Sequence, residues 1–195
     1  FSLEPTRFMV GWEKRGFKGL TYNISSGSTG KDYNPEMGFM SRNNYIFTSA
    51  TARYGLYLKD ESFWRSLEFF ANSWFDHNYE IEQIDQGALS AGANLFSKNG
   101  WYIKLFYSHS YDLLTESLSF SDDVEIPEGK YSYGEFGFSF FTPQNLKWGI
   151  GSDFEMGSYF DAKYFSFELE SRYNPSAHFE INAAYELKNL DFIER

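Results

Sequence analysis

The stretch "FEINAAYEL" (residues 179–187) decides the fold class. Phe179, Ile181, Ala183, Tyr185 and Leu187 alternate with Glu180, Asn182, Ala184 and Glu186. Successive side chains of a strand point to opposite faces, so this pattern spells one apolar and one polar face. "FSFELESRY" (165–173) repeats it, with Phe165, Phe167, Leu169 and Tyr173 against Ser166, Glu168, Glu170 and Arg172. Residues 146–156 set Leu146, Trp148, Ile150, Phe154 and Met156 against Lys147, Gly149, Gly151, Asp153 and Glu155. Residues 101–111 set Trp101, Ile103, Leu105 and Tyr107 against Tyr102, Lys104, Phe106 and Ser108. Looser versions cover 7–13, 17–25, 45–59, 63–75, 87–96 and 131–141. The four clear strands are about 9–11 residues long, the length of a membrane-spanning strand, and the reading is ten strands and no helix.

Composition narrows the class. The 195 residues suffice for one domain, and the net charge of −10 speaks against nucleic acid, whose recognition needs a basic face. With no cysteine there is no disulfide framework and no thiolate chemistry. Phe1 opens the chain without a charged-then-apolar leader, so a signal peptide is expected to be cleaved or to lie outside this stretch. Aromatic residues make up 22% of the chain. A soluble core does not easily hide so many large rings, whereas a membrane interface favours them.

The connections point the same way. Short turns fall at 14–16, 59–62, 97–100, 142–145 and 174–177, and long connections at about 26–44, 76–86, 112–130 and 157–163. Strict alternation of short and long is expected of an outer-membrane barrel, with its short periplasmic turns and longer outer loops. The expected fold is therefore an all-β, antiparallel transmembrane outer-membrane β-barrel. The first and last strands then both have their chain ends on the long-loop side, whereas a complete even-stranded barrel has them in the periplasm. An excerpt of a larger barrel, lacking at least one strand at each end, is the expectation. The alternative is a ten-stranded barrel with unusual termini.

One stretch stands apart: "DYNPEMGFMSRNNY" (32–45) turns sharply at Asn34-Pro35 and again at Gly38, yet carries Met37, Phe39 and Met40. It resembles the "NPEVGF"-type signature of a group of Bacteroidota outer-membrane proteins. "VEIPEGKYSYGEFGFSF" (124–140) and "RYNPSAHFEINAAYELKNLDF" (172–192) resemble further stretches of that family in the same order. In that family a domain like carbohydrate-binding module family nine precedes a C-terminal barrel of unknown function. The resemblance spans residues 6–192 and implies that this chain is part of the barrel, without the sugar-binding-like domain, the earlier strands and the closing strand or strands. It implies a place rather than a reaction, and no catalytic residues.

Candidate site residues follow from these patterns. Asn34, Pro35, Glu36, Met37, Gly38 and Phe39 are expected to fold into the barrel mouth as a brace, with Glu36 meeting a basic residue of the wall; an ordinary turn on a neighbouring loop is the alternative. Arg53, Glu68, Lys104, Asp153, Glu155, Glu168, Glu170, Arg172, Glu180 and Glu186 are expected on the lumen face. Paired carboxylates suit acid–base chemistry, but a polar lumen ladder is the plainer reading, and an open lumen ringed by acids prefers cations. In "YSHSYD" (107–112) His109 lies on the opposite face from Ser108 and Ser110, so no local nucleophile–base pair forms; a serine on another strand stays open, but a histidine of the interfacial belt is the plainer reading. Asp122, Asp123, Glu125 and Glu128 match no calcium-loop spacing and read as a solvated acidic loop. Neither metal nor cofactor is expected.

The function that emerges is not enzymatic. It is a transport or export conduit, or a surface-glycan-linked membrane protein. The alternatives are a membrane-embedded scaffold with an occluded lumen and a secreted soluble β-sandwich lectin. The expected partners are outer-membrane lipid and other outer-membrane or periplasmic proteins, with no nucleic acid; the expected location is the Gram-negative outer membrane.

Overall fold

A computed structural model describes residues 4–35, 42–121, 124–176 and 178–192. The elements in order are β1 (Arg7–Lys14), β2 (Gly19–Thr29), β3 (Tyr45–Tyr57), β4 (Trp64–Asn78), β5 (Gln83–Ser97) and β6 (Tyr102–Leu114). They continue with β7 (Leu118–Ser121), β8 (Val124–Ile126), β9 (Gly129–Phe141), β10 (Trp148–Tyr159), β11 (Ala162–Ser176) and β12 (Phe179–Asp191). Ten of them form one antiparallel sheet in the order β1-β2-β3-β4-β5-β6-β9-β10-β11-β12. The ten alternating runs of the sequence are these ten strands. The hairpin β7–β8 forms a separate sheet of its own within the β6–β9 connection. The large sheet is open, with β1 and β12 as its edges.

The strands run longer than the apolar alternation because a ladder of backbone hydrogen bonds does not require apolar side chains. The strict alternation of short and long connections is therefore not found. Residues 79–82 and 160–161 are tight turns, and only 30–44 and 115–128 are long. The expected long connection at 157–163 is a two-residue turn in which Phe160 adopts φ 52°, a left-handed angle usually left to Gly or Asn. Packing holds it there: the Phe160 ring is buried, with its centroid 5.0 Å from Tyr131 and 5.3 Å from Tyr133. Phe120 of β7 joins the group, 6.0 Å from Tyr159 and 5.4 Å from Phe192.

The sheet itself has no core. Among the described residues the buried hydrophobic side chains are Ile126, Phe160 and Ala162, all at the long-loop end. Residues opposite one another in an antiparallel ladder share a face. One such row crosses the sheet as Leu20, Tyr54, Phe69, Ala93, Leu105, Phe138, Phe154, Phe167 and Leu187. Leu20, Phe69 and Leu105 in it are 48%, 49% and 44% exposed. The chain exposes 13512 Å², against about 9,600 Å² for a compact globular chain of 22.8 kDa. Each 1,000 Å² of apolar excess corresponds to roughly 25 kcal/mol of unrealised burial, above the entire net stability of an ordinary domain at about 5–15 kcal/mol.

Tryptophan is distributed unevenly along the strands. Trp12, Trp64, Trp101 and Trp148 lie at the short-turn end, and Trp74 alone lies toward the other. Trp12 meets Tyr22 edge-on at 5.5 Å, and Trp148 stacks on Tyr173 at 4.2 Å. Removing the buried ring in Phe160→Ala is expected to cost about 3 kcal/mol. Hydrogen exchange then speeds up roughly 100-fold in the long-loop group around Tyr131 and Tyr159 and stays unchanged in the β3–β4 ladder.

Candidate functional site on the polar face

All ten polar residues expected on one side share a face in the observed register. One row reads Gly55, Glu68, Asn94, Lys104, Ser139, Asp153, Glu168 and Glu186. The next reads Arg53, Phe70, Gly92, Phe106, Gly137, Glu155, Ser166 and Lys188. Glu170 and Arg172 follow on β11, and Glu180 shares the face of Asn182 opposite Arg172.

The charges do not pair across strands as a polar ladder suggests. Asp153, Glu168 and Glu186 stand side by side on three neighbouring strands. Glu186 instead pairs with Lys188 along its own strand, and Arg172 donates Nη2–H to the Gln144 carbonyl at 2.8 Å. Glu68 accepts from Asn94 Nδ2 at 2.9 Å, and Asn94 Oδ1 accepts from Tyr102 at 2.9 Å. Like charges directly opposite destabilise a sheet, so the three-carboxylate row favours a cation beside it.

Large rings also occupy this face, and glycine makes room for them. A Cβ on Gly92 would stand 2.7 Å from Phe70 Cζ, one on Gly151 2.8 Å from Phe141 Cε1, and one on Gly137 would strike the Phe106 ring. A Cβ on Gly149 would come 3.1 Å from Arg172 Nη2. Each glycine thus lets a planar group lie against the sheet instead of standing out from it. Lys104 Nζ sits 4.3 Å from the Phe106 centroid, a cation–π contact. Above Gly149 and Gly151 a groove of about 710 Å³ opens, lined by Tyr102, Phe141, Glu170, Arg172, Glu180 and Asn182. Arg172 Nε is buried there without a hydrogen-bond partner.

At the long-loop end the same face carries an ionic clasp. A β-bulge between β4 and β5 leaves Asp85 outside the ladder, beside Gln86 opposite Asp76. Arg42, from the β2–β3 connection, forms ion pairs with Asp85 and with Asp76, the latter at 3.5 Å. Asn78 Nδ2 donates to Asp85 at 2.9 Å and Gln86 Nε2 to Asp76 at 2.6 Å. Asn43 Nδ2 donates to the Tyr33 carbonyl at 2.7 Å, and Tyr79 N–H to the Asn44 carbonyl at 3.1 Å. Residues 42–44 are thereby fastened onto the β4–β5 hairpin. Asn34 is exposed and Pro35 half-buried, while Glu36, Met37, Gly38 and Phe39 lie outside the described residues. Arg42, Asp76 and Asp85 escaped the sequence reading because a bulge displaces their partners from simple alternation.

Among the described residues no group of three or more His, Asp or Glu side chains is placed to hold a metal ion. Comparisons with protein families, curated proteins and solved structures find no match. Removing one partner of a nearly buried charged cluster leaves the other unpaired, so Asp85→Ala is expected to cost about 2 kcal/mol by urea unfolding. Gly137→Ala, which must displace Phe106, is expected to cost about 1–3 kcal/mol. Gly11→Ala, with its nearest neighbour at 3.7 Å, should cost less than about 1 kcal/mol.

Proposed function

We propose that this chain forms part of the wall of a β-barrel in the Gram-negative outer membrane, with lipid on its apolar face and a solute path along its polar face. The observation that carries this reading is the single-layer sheet whose apolar face stays bare across all ten strands. A lipid bilayer covers such a face without a second protein layer. The tryptophans at the short-turn end support it, because Trp and Tyr concentrate at membrane interfaces. The dimensions agree: Trp148 to Ser158 on β10 spans about 33 Å along the strand, or roughly 25 Å once tilted as barrel strands are, the height of an apolar band. Hydrocarbon does not tolerate free backbone groups, so closure takes further strands beside β1 and β12.

Rings lying flat on glycine keep bulk off the body of the polar side, below the Phe120–Phe160 group at its long-loop end, which favours a conduit. Three carboxylates in a row favour cations or neutral polar solutes within it. The ionic clasp favours the second reading, a scaffold with an occluded lumen and partners in the outer membrane or periplasm, because it draws the β2–β3 connection onto the polar face. A link to surface glycans rests only on the resemblance at residues 32–45. A soluble sandwich lectin has less support, since the other sheet among the described residues is only the two-stranded hairpin β7–β8.

The full-length protein is expected to run at different gel positions before and after boiling and to float with lipid vesicles. Identical mobility together with detergent-free solubility overturns the membrane reading. In planar bilayers the conduit gives stable, cation-preferring openings, and Glu168→Gln with Glu186→Gln lowers that preference. A silent barrel that copurifies with other outer-membrane proteins favours the scaffold.

A further inference from the structure

The apolar face holds one arrangement that a lipid-facing wall does not require. His109 on β6 stands opposite Gly134 on β9, and Ser132, two residues away along β9, shares its face. Ser132 Oγ and His109 Nε2 lie 2.8 Å apart, and both residues are exposed. The serine that His109 lacks on its own strand is thus supplied by the neighbouring one. With the ring proton on Nδ1, Nε2 accepts the Ser132 hydroxyl hydrogen, the geometry of an activated nucleophile. The imidazole stacks with Tyr107 at 6.5 Å between centroids, and the Tyr107 phenol reaches over Gly134. That puts an O–H donor on the same face as the serine and beside the imidazole, the kind of group that serves a developing oxyanion.

From this geometry we infer that Ser132 and His109 form a nucleophile–base pair that cleaves carboxylic esters of membrane lipids. Ser132 Oγ bonds to the acyl carbon as its proton passes to His109 Nε2, and the phenol of Tyr107 donates to the carbonyl oxygen. The ester C–O bond then breaks, and the leaving alcohol takes that proton. Water next attacks the acyl-serine and gives a proton to Nε2, which returns it to Ser132 as the fatty acid departs. Water is the sole co-reactant.

Position selects the substrate. Leu89, directly opposite His109, is 58% exposed, and Phe136 lies below on the same face. These suit an acyl chain. Lys130 and Lys163, exposed on that face toward the long-loop end, suit an anionic headgroup. Ser132 is three residues inside the β9 terminus at Gly129, about 10 Å along the strand, where water and ester carbonyls meet. The lipid part of this inference rests on the membrane reading above; the serine chemistry does not.

The full-length protein is tested in mixed micelles of dimyristoylphosphatidylglycerol for fatty-acid release and with a fluorophosphonate for covalent capture. Release and an adduct on Ser132 are expected. Ser132→Ala should abolish both, and His109→Ala should slow both by about 100-fold or more, the range of a general base. Tyr107→Phe should slow release while retaining the adduct. Unchanged gel mobility of the unboiled variants shows that the wall is intact. Release unaffected by Ser132→Ala, or no adduct on Ser132 in folded protein, overturns the inference. An adduct on Ser132 in a chain that does not float with vesicles keeps the serine chemistry and removes the lipid substrate along with the membrane reading.

Discussion

A sheet ten strands wide that is apolar on one side must have that side covered. No second layer does so among the described residues, and the buried apolar side chains sit at one end, outside the body of the sheet. The other features of the molecule follow from this constraint. Period-2 patterning persists from β1 to β12 because every strand meets the same two environments. The backbone ladder binds the strands to one another, and the surroundings of the apolar face supply the energy that a core supplies elsewhere. We read those surroundings as lipid, with rings at the ends of the strands anchoring its height.

The polar face obeys a different rule. It is crowded with Phe and Tyr as well as carboxylates, and glycine settles the conflict between ring size and free space. Phe70, Phe106 and Phe141 lie on Gly92, Gly137 and Gly151, so bulk spreads along the sheet. The ionic clasp then adds what a flat sheet lacks, a fixed attachment for residues of the β2–β3 connection. Arg42 reaches Asp76 and Asp85 because a bulge turns one carboxylate out of the ladder. Two carboxylates share one guanidinium, and Asn78 and Gln86 each add a further donor.

Much of this was legible in the sequence, and the boundary is physical. Alternation is a property of one strand, so the ten strands and the shared face of residues such as Glu68, Lys104 and Glu186 could be read directly. Pairing between strands is not. The row Asp153, Glu168 and Glu186, the contact of His109 with Ser132 and the seats of rings on glycine all depend on register, which single-strand patterns leave open. Connection lengths failed where local signals were misleading. "GSYFDAK" (157–163) has no Gly or Asn where the turn needs a positive φ, and Phe160 takes that angle because burial holds its ring. The hairpin β7–β8 was invisible for a similar reason: its strands are too short for a period to register.

The most direct test of the central claim uses the absence of native cysteine. Single cysteines at positions 104, 105, 106 and 107 carry a nitroxide label in vesicle-reconstituted protein, and collision rates with oxygen and with a nickel chelate are compared. Oxygen concentrates in hydrocarbon and the chelate in water. A lipid-covered apolar face predicts that positions 105 and 107 favour oxygen while 104 and 106 favour the chelate. Equal accessibility of all four positions to the chelate would contradict it.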